Sequence, residues 1–185
     1  MELTFTPIEL VSLRGGGTGI AQRKGILANV VDTVVRCALE KDTKVICDIT
    51  SADIKWITTE MSKLLVGCTF QLEKKDMSPF LTIAWDCLLE GEPNPVEDEV
   101  SFTRLELRSM VASIEKPATC IKVIIMSFIV GAVKTAIRGE NTYTDTVPAA
   151  ELGTILVQLM HRFSQCKIEY TQKEATETYQ VYIIW

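Results

Sequence analysis

Histidine is almost missing from this chain: among 185 residues there is one, His161. The six cysteines, Cys37, Cys47, Cys68, Cys87, Cys120 and Cys166, stand singly and form no Cys-x-x-Cys pair. Nothing therefore has the ligand spacing of a zinc centre, and the residues imply neither a metal nor a cofactor. The opening decapeptide, Met1 to Leu10, lacks the basic and apolar regions of a signal peptide. On that basis the cysteines are expected to be reduced core residues of a cytoplasmic protein. Long apolar runs are missing too: the most apolar stretch, Val123 to Val133, is bounded by Lys122 and Lys134 and is too short to span a bilayer.

Concentrated positive charge is also lacking. The net charge is −5, with ten Lys/Arg against fifteen Asp/Glu in residues 1–98 and nine of each in residues 99–185. A protein that grips nucleic acid by its phosphates needs a basic face, so nucleic-acid binding is disfavoured. With 47% apolar and 23% charged residues, the composition is that of an ordered globular protein.

What the chain does have is a repeat. Glu2 to Leu13 reads again 97 positions later as Glu99 to Met110, with six of the twelve pairs identical. An offset of 97 to 98 then persists through Ala52-Asp53-Ile54 and Ala150-Glu151-Leu152, Ile57 and Ile155, Met61 and Leu159, Cys68 and Cys166, and Lys75 and Lys173. Two copies of one unit are expected: residues 1–90, then a connection at 91–98 with two prolines and three acids, then residues 99–185. Features common to both copies belong most simply to the fold. Those confined to one copy are the better candidates for function.

Within each copy, apolar residues alternate and then change parity, at Thr6-Pro7 and again at Thr103-Arg104, which predicts a strand broken by a bulge. Ile26, Leu27, Val30, Val31, Val34, Val35 and Leu39 follow at helical spacing. Lys44 to Thr50 reads as a strand. Ser51 is an N-cap candidate for a helix carrying Ile54, Ile57, Met61, Leu64 and Leu65 that ends at Gly67. Thr69 to Glu73 and Phe80 to Cys87 read as a hairpin. In the second copy the corresponding elements are a helix over about Thr119 to Arg138, apolar on nearly every side, a second helix opened by Pro148, and a hairpin of Lys167 to Thr171 with Tyr179 to Trp185. The expected class is α/β (α+β), two βαβαββ units packed as a pseudo-two-fold body.

This order of elements resembles the C-terminal domain of translation initiation factor three, Alba-type nucleic-acid-binding proteins, and the repeated modules of RNA 3′-phosphate cyclases and enolpyruvyl transferases. Tandem copies, and the run Thr43 to Trp85 with its Ala-Asp pair and terminal hairpin, resemble the last group most. The resemblance implies a fold. Those transferases place a lysine and serines before the first helix, where this chain has Gly17 to Arg23 and only Arg23 keeps the charge; the cyclases use a histidine, and His161 falls late in a helix.

The glycine-rich stretch Arg14-Gly15-Gly16-Gly17-Thr18-Gly19 is confined to one copy. Its backbone N–H groups, together with Arg14, Arg23 and Lys24, form a candidate site for a phosphorylated or acidic ligand, although the stretch lacks the spacing of a Walker or dinucleotide loop. A helix apolar all round must be covered on several faces, which makes Val123, Ile124, Met126, Phe128 and Ile129 either core or an oligomer interface. No spacing of acids marks a general acid and base. The expected function is thus association: an assembly or adaptor subunit binding a protein partner or itself, with a phosphorylated-ligand-binding protein or small transferase as the alternative and RNA binding as the third.

Overall fold

The computed structural model describes residues 1–15, 19–48, 54–75, 78–85, 101–112, 121–173 and 177–185. The connection at 91–98, the turn residues Gly16 to Thr18, and Cys87 and Cys120 lie outside them, as do Ser51 and Asp53. In chain order the elements are α1 (Pro7–Ser12), a 3₁₀ turn (Leu13–Gly15), α2 (Gly19–Leu39), β1 (Lys44–Asp48), α3 (Ile54–Leu64), β2 (Leu65–Val66), β3 (Thr69–Lys75), β4 (Ser78–Ala84), β5 (Phe102–Thr103), α4 (Arg104–Ala112), α5 (Ile121–Ile137), β6 (Thr142–Pro148), a second 3₁₀ turn (Ala149–Glu151), α6 (Leu152–Arg162), β7 (Lys167–Gln172) and β8 (Thr178–Ile184). The chain is an α+β protein. Among the described residues no helix is long and apolar enough to cross a membrane.

The parity changes are helix starts, not bulges, which corrects the expected broken strand: residues 1–6 form no strand, and the second opening keeps only the short β5 before its helix. Thr6 caps α1: its hydroxyl accepts from the Glu9 N–H at 3.3 Å, and the Glu9 carboxylate accepts the Thr6 N–H at 2.8 Å. Pro7 takes the first turn, where a missing N–H costs nothing. Thr103 and Glu106 exchange the same pair of bonds, at 3.1 and 2.7 Å, at the start of α4. Pro148 is both the last residue of β6 and the N-cap of the 3₁₀ turn Ala149–Glu151, which leads into α6.

The chain divides into two compact units, each discontinuous or offset in sequence: Met1–Ala28 with Thr119–Trp185, and Asn29–Ala118. In the first, the strands order as β6-β8-β7, antiparallel throughout, with Thr142 and Lys167 both opposite Ile184. Val147, Val181 and Ile183 alternate onto the buried face. Helices α5 and α6 pack on this sheet.

The N-terminal segment is tied into the same unit. The Phe5 N–H donates to the Arg162 carbonyl at the end of α6, and the Phe5 ring stacks on Phe163 at 6.3 Å. Leu3, Phe5, Leu10 and Leu13 are all buried. Lys24 closes the arrangement: its ammonium donates to Glu9 Oε1 and to the Thr4 carbonyl, both at 2.6 Å, and sits 5.6 Å from the Phe5 ring centre. Burial raises the Glu9 carboxyl, but the bonds from Lys24 and Thr6 and the Lys24 charge outweigh it and hold the group below its ordinary value.

Helix α5 crosses β6 at a glycine. A Cβ on Gly131 would lie 2.1 Å from the Tyr143 ring, so a bare backbone is what lets that ring reach across the helix. There its edge meets Phe128 at 5.8 Å, while its hydroxyl and that of Ser127 both donate to Asp145 Oδ2, at 3.1 and 3.0 Å.

In the second unit, β1, β4 and β3 form an antiparallel sheet in that order, with Lys44 and Thr69 both opposite Ala84. Leu81 and Ile83 are buried on one face. A separate parallel ladder joins β2 to β5, Leu65 beside Phe102 and Val66 beside Thr103. Phe102, Leu107 and Met110 are buried, and Lys41 donates to the Met110 carbonyl at 2.8 Å, closing the C-terminal end of α4.

Two outcomes follow. The folded Glu9 carboxyl is depressed, so its contribution is present above the unfolded carboxylate range and lost as pH falls through it. Glu9→Gln is expected to lower stability at neutral pH and to flatten the decline between about pH 5 and pH 3, as measured by urea melts across that range. Gly131→Ala must push Tyr143 off Phe128 and Asp145; the expected loss is about 1–3 kcal/mol, against about 1 kcal/mol for Tyr143→Phe, which gives up only the hydroxyl bond, read as shifts in the urea midpoint.

Candidate functional site

The glycine-rich turn is only partly within the described residues. Arg14 is exposed at the last turn of the 3₁₀ segment and its guanidinium donates to the Glu140 carbonyl at 3.4 Å. Gly19 begins α2 with φ +61°, a conformation that suits glycine. Arg23 is exposed one turn on, with a partner of its own. Lys24 points the other way, into its contacts with Glu9 and Thr4, and its side chain is 11% exposed. The turn thus presents Arg14 and Arg23 outward, whereas Lys24 serves the fold.

The apolar face of α5 separates similarly. Met126, Phe128 and Ile129 are buried within the chain; Val123 and Ile124, in the first turn, are half-buried. The all-round apolar composition of this helix is accounted for by what surrounds it in its unit: β6, α6, α1 and the 3₁₀ turn.

The four described cysteines are free, half-buried thiols. Burial pushes Cys47 to about 11, Cys68 to about 12 and Cys166 to about 11, and also raises Cys37. All four are protonated at neutral pH and poor nucleophiles. His161 stands exposed beside Glu2, 2.8 Å away. Among the described residues no three His, Cys, Asp or Glu side chains converge as a metal site would require.

The feature that sequence reasoning missed is the outer face of the β1-β4-β3 sheet. Its inner parity carries the buried Leu81 and Ile83; its outer parity is exposed along β1 and at Gln71 and Glu73 and half-buried along β4 and at Thr69. Lys44, Ile46, Thr69, Gln71, Glu73, Thr82 and Ala84 line a shallow depression of about 330 Å³ there, drawn from all three strands. Ile46, in the middle row on the edge strand β1, is 63% exposed. Register sorts this face into three rows: Lys44, Ala84 and Thr69; Ile46, Thr82 and Gln71; Asp48, Phe80 and Glu73. One end is positive, the middle is neutral with an exposed apolar side chain, and the other end carries two carboxylates.

A signal for this was present. Val45 and Cys47 point inward, so Ile46 had to point outward, and a strand apolar on both parities anticipates a cover on both sides. The β6-β8-β7 sheet shows the same exposure pattern, with Tyr182 half-buried between Thr144 and Glu169 on its outer parity. Comparison with protein families, with curated proteins and with solved structures finds no match to this chain.

Proposed function

We propose that this chain is an assembly subunit that works by association with a second copy of itself, built from two copies of one structural unit related by a pseudo-two-fold. The observation that carries the first part is the row order on the outer face of the β1-β4-β3 sheet. A two-fold axis along the middle row, Ile46-Thr82-Gln71, sets Lys44 of each copy against Asp48 of the other, Glu73 against Thr69, and Ile46 against Ile46. The face is self-complementary in charge, and Ile46 supplies an apolar side chain that water leaves on contact.

The duplication is supported by agreement beyond sequence. Backbones with positive φ occur at Lys41 and Gly139, and at Gly67 and Gln165, each pair separated by the offset of the repeat. Both three-stranded sheets have the same order and register, and each is followed by a tryptophan whose backbone N–H donates to the carbonyl of the residue before the first strand, Trp85 to Thr43 and Trp185 to Asn141. The capping boxes at Thr6 and Thr103 coincide as well.

Size-exclusion chromatography with light scattering, recorded at protein and nucleic-acid wavelengths, tests the association. A dimer free of nucleic acid is expected, weakening as salt screens the charged rows. Ile46→Asp and Lys44→Glu should each weaken it by about tenfold or more, and Lys44→Glu combined with Asp48→Lys should recover much of the loss. A wild-type monomer at every concentration overturns the reading. Co-eluting nucleic acid would do so in favour of RNA binding, and a monomer stabilised by phosphate through Arg23 would favour the glycine-rich turn.

A further inference from the structure

One compact unit is completed by a segment from a distant part of the chain, and the other, the continuous stretch Asn29–Ala118, by the segment that opens the next copy. Residues 1–15 lie with α5, α6 and the β6-β8-β7 sheet, although the repeat makes them the opening of the copy that holds β1, β3 and β4. Residues 101–112 lie with α3, β2 and that first sheet, although they open the other copy. The two segments are the two most similar stretches of the sequence, and they are held alike. Phe5 donates its N–H to the carbonyl of Arg162 at the end of α6, and Phe102 runs beside Leu65, which directly follows α3. Thr6 with Glu9, and Thr103 with Glu106, fold the following residues into a short helix whose apolar side chains, Leu10 and Leu107, are fully buried. Where α1 ends, Arg14 donates to the carbonyl of Glu140; where α4 ends, Met110 receives the ammonium of Lys41.

Two like segments exchanged between two like bodies form a domain swap enclosed in one chain. We infer that each unit contains a seat for an incoming arm of the pattern Phe-Thr-x-x-Glu-Leu, and that the arm of a second copy of this chain can occupy it. The inference rests on the proposed duplication but not on the outer sheet face. A seat that already accepts an arm from a distant part of the chain requires no rearrangement to accept the same arm from another molecule. What disfavours the exchange in dilute solution is the high effective concentration of the tethered arm. Weakening that arm, or folding at high protein concentration, should reveal the open seat.

The test uses the full chain. In Phe5→Ala, hydrogen exchange should quicken by about tenfold or more in β6, β7 and β8 and stay nearly unchanged in β1, β3 and β4. A synthetic peptide of residues 1–15, and equally one of residues 99–112, should then recover at least half of the lost Tm, while the same peptides with Phe replaced by Asp should not. Quickening confined to β1, β3 and β4, or recovery by neither peptide, overturns the inference. Should Phe5→Ala fail to fold, a second experiment decides: the Ile46→Asp chain, in which sheet-face association is weakened, is refolded from denaturant over a range of concentrations. A dimer that grows with refolding concentration and persists after dilution is expected. Monomer at every concentration would refute arm exchange and leave the sheet-face reading untouched, because that reading is judged on the wild-type chain.

Discussion

One ammonium group organises the N-terminal end of this protein. Lys24 is nearly buried, and a cation withdrawn from water to that degree has to be matched by charge and by hydrogen-bond acceptors. It finds both on the arm: the Glu9 carboxylate, the Thr4 carbonyl and the face of Phe5. Glu9 in turn can accept only because the capping box holds it at the third position of α1. The path of the extended segment, the start of α1 and the depth of Phe5 are therefore coupled through Lys24. Removing any one of them would leave a buried polar group without its complement.

The same logic in apolar form governs α5. It carries few polar side chains, and it is covered in its own unit by β6, α6, α1 and the 3₁₀ turn. Its polar exceptions are placed where they are answered: Ser127 turns to Asp145, and Gly131 gives up a side chain so that Tyr143 can fit. In the other sheet, 98 positions earlier, β1 has Val45 and Cys47, and no tyrosine-carboxylate pair is possible there.

Much of the fold was legible in the sequence because periodicity reports burial. The helices α2, α3, α5 and α6 and both hairpins lie close to where their apolar spacing puts them. The opening of each unit was not, since alternation up to Phe5 and helical spacing from Ile8 onward overlap within a few residues; Thr6 and Glu9, three apart, were the signal that decides for a cap. Of the candidate ligand residues, Arg14 and Arg23 are exposed, but no pattern distinguished Lys24 from them: a cation's direction depends on a carboxylate fifteen residues earlier. The outer face around Ile46 was obscured because KVICD reads as uniformly strand-forming, and only register across β4 and β3 reveals which side chains share a face.

The bond between Phe5 and the end of α6 also sets an order of events on the ribosome. Leu3, Phe5 and Leu10 belong to a body whose other residues begin only at Thr119, beyond the whole of the second body, Asn29–Ala118. Until that later stretch has been made, the arm has no native surface on which to rest. Translation therefore holds an apolar segment open while an entire intervening body is synthesised, and a vulnerability to misassociation or to chaperone capture lies at that arm.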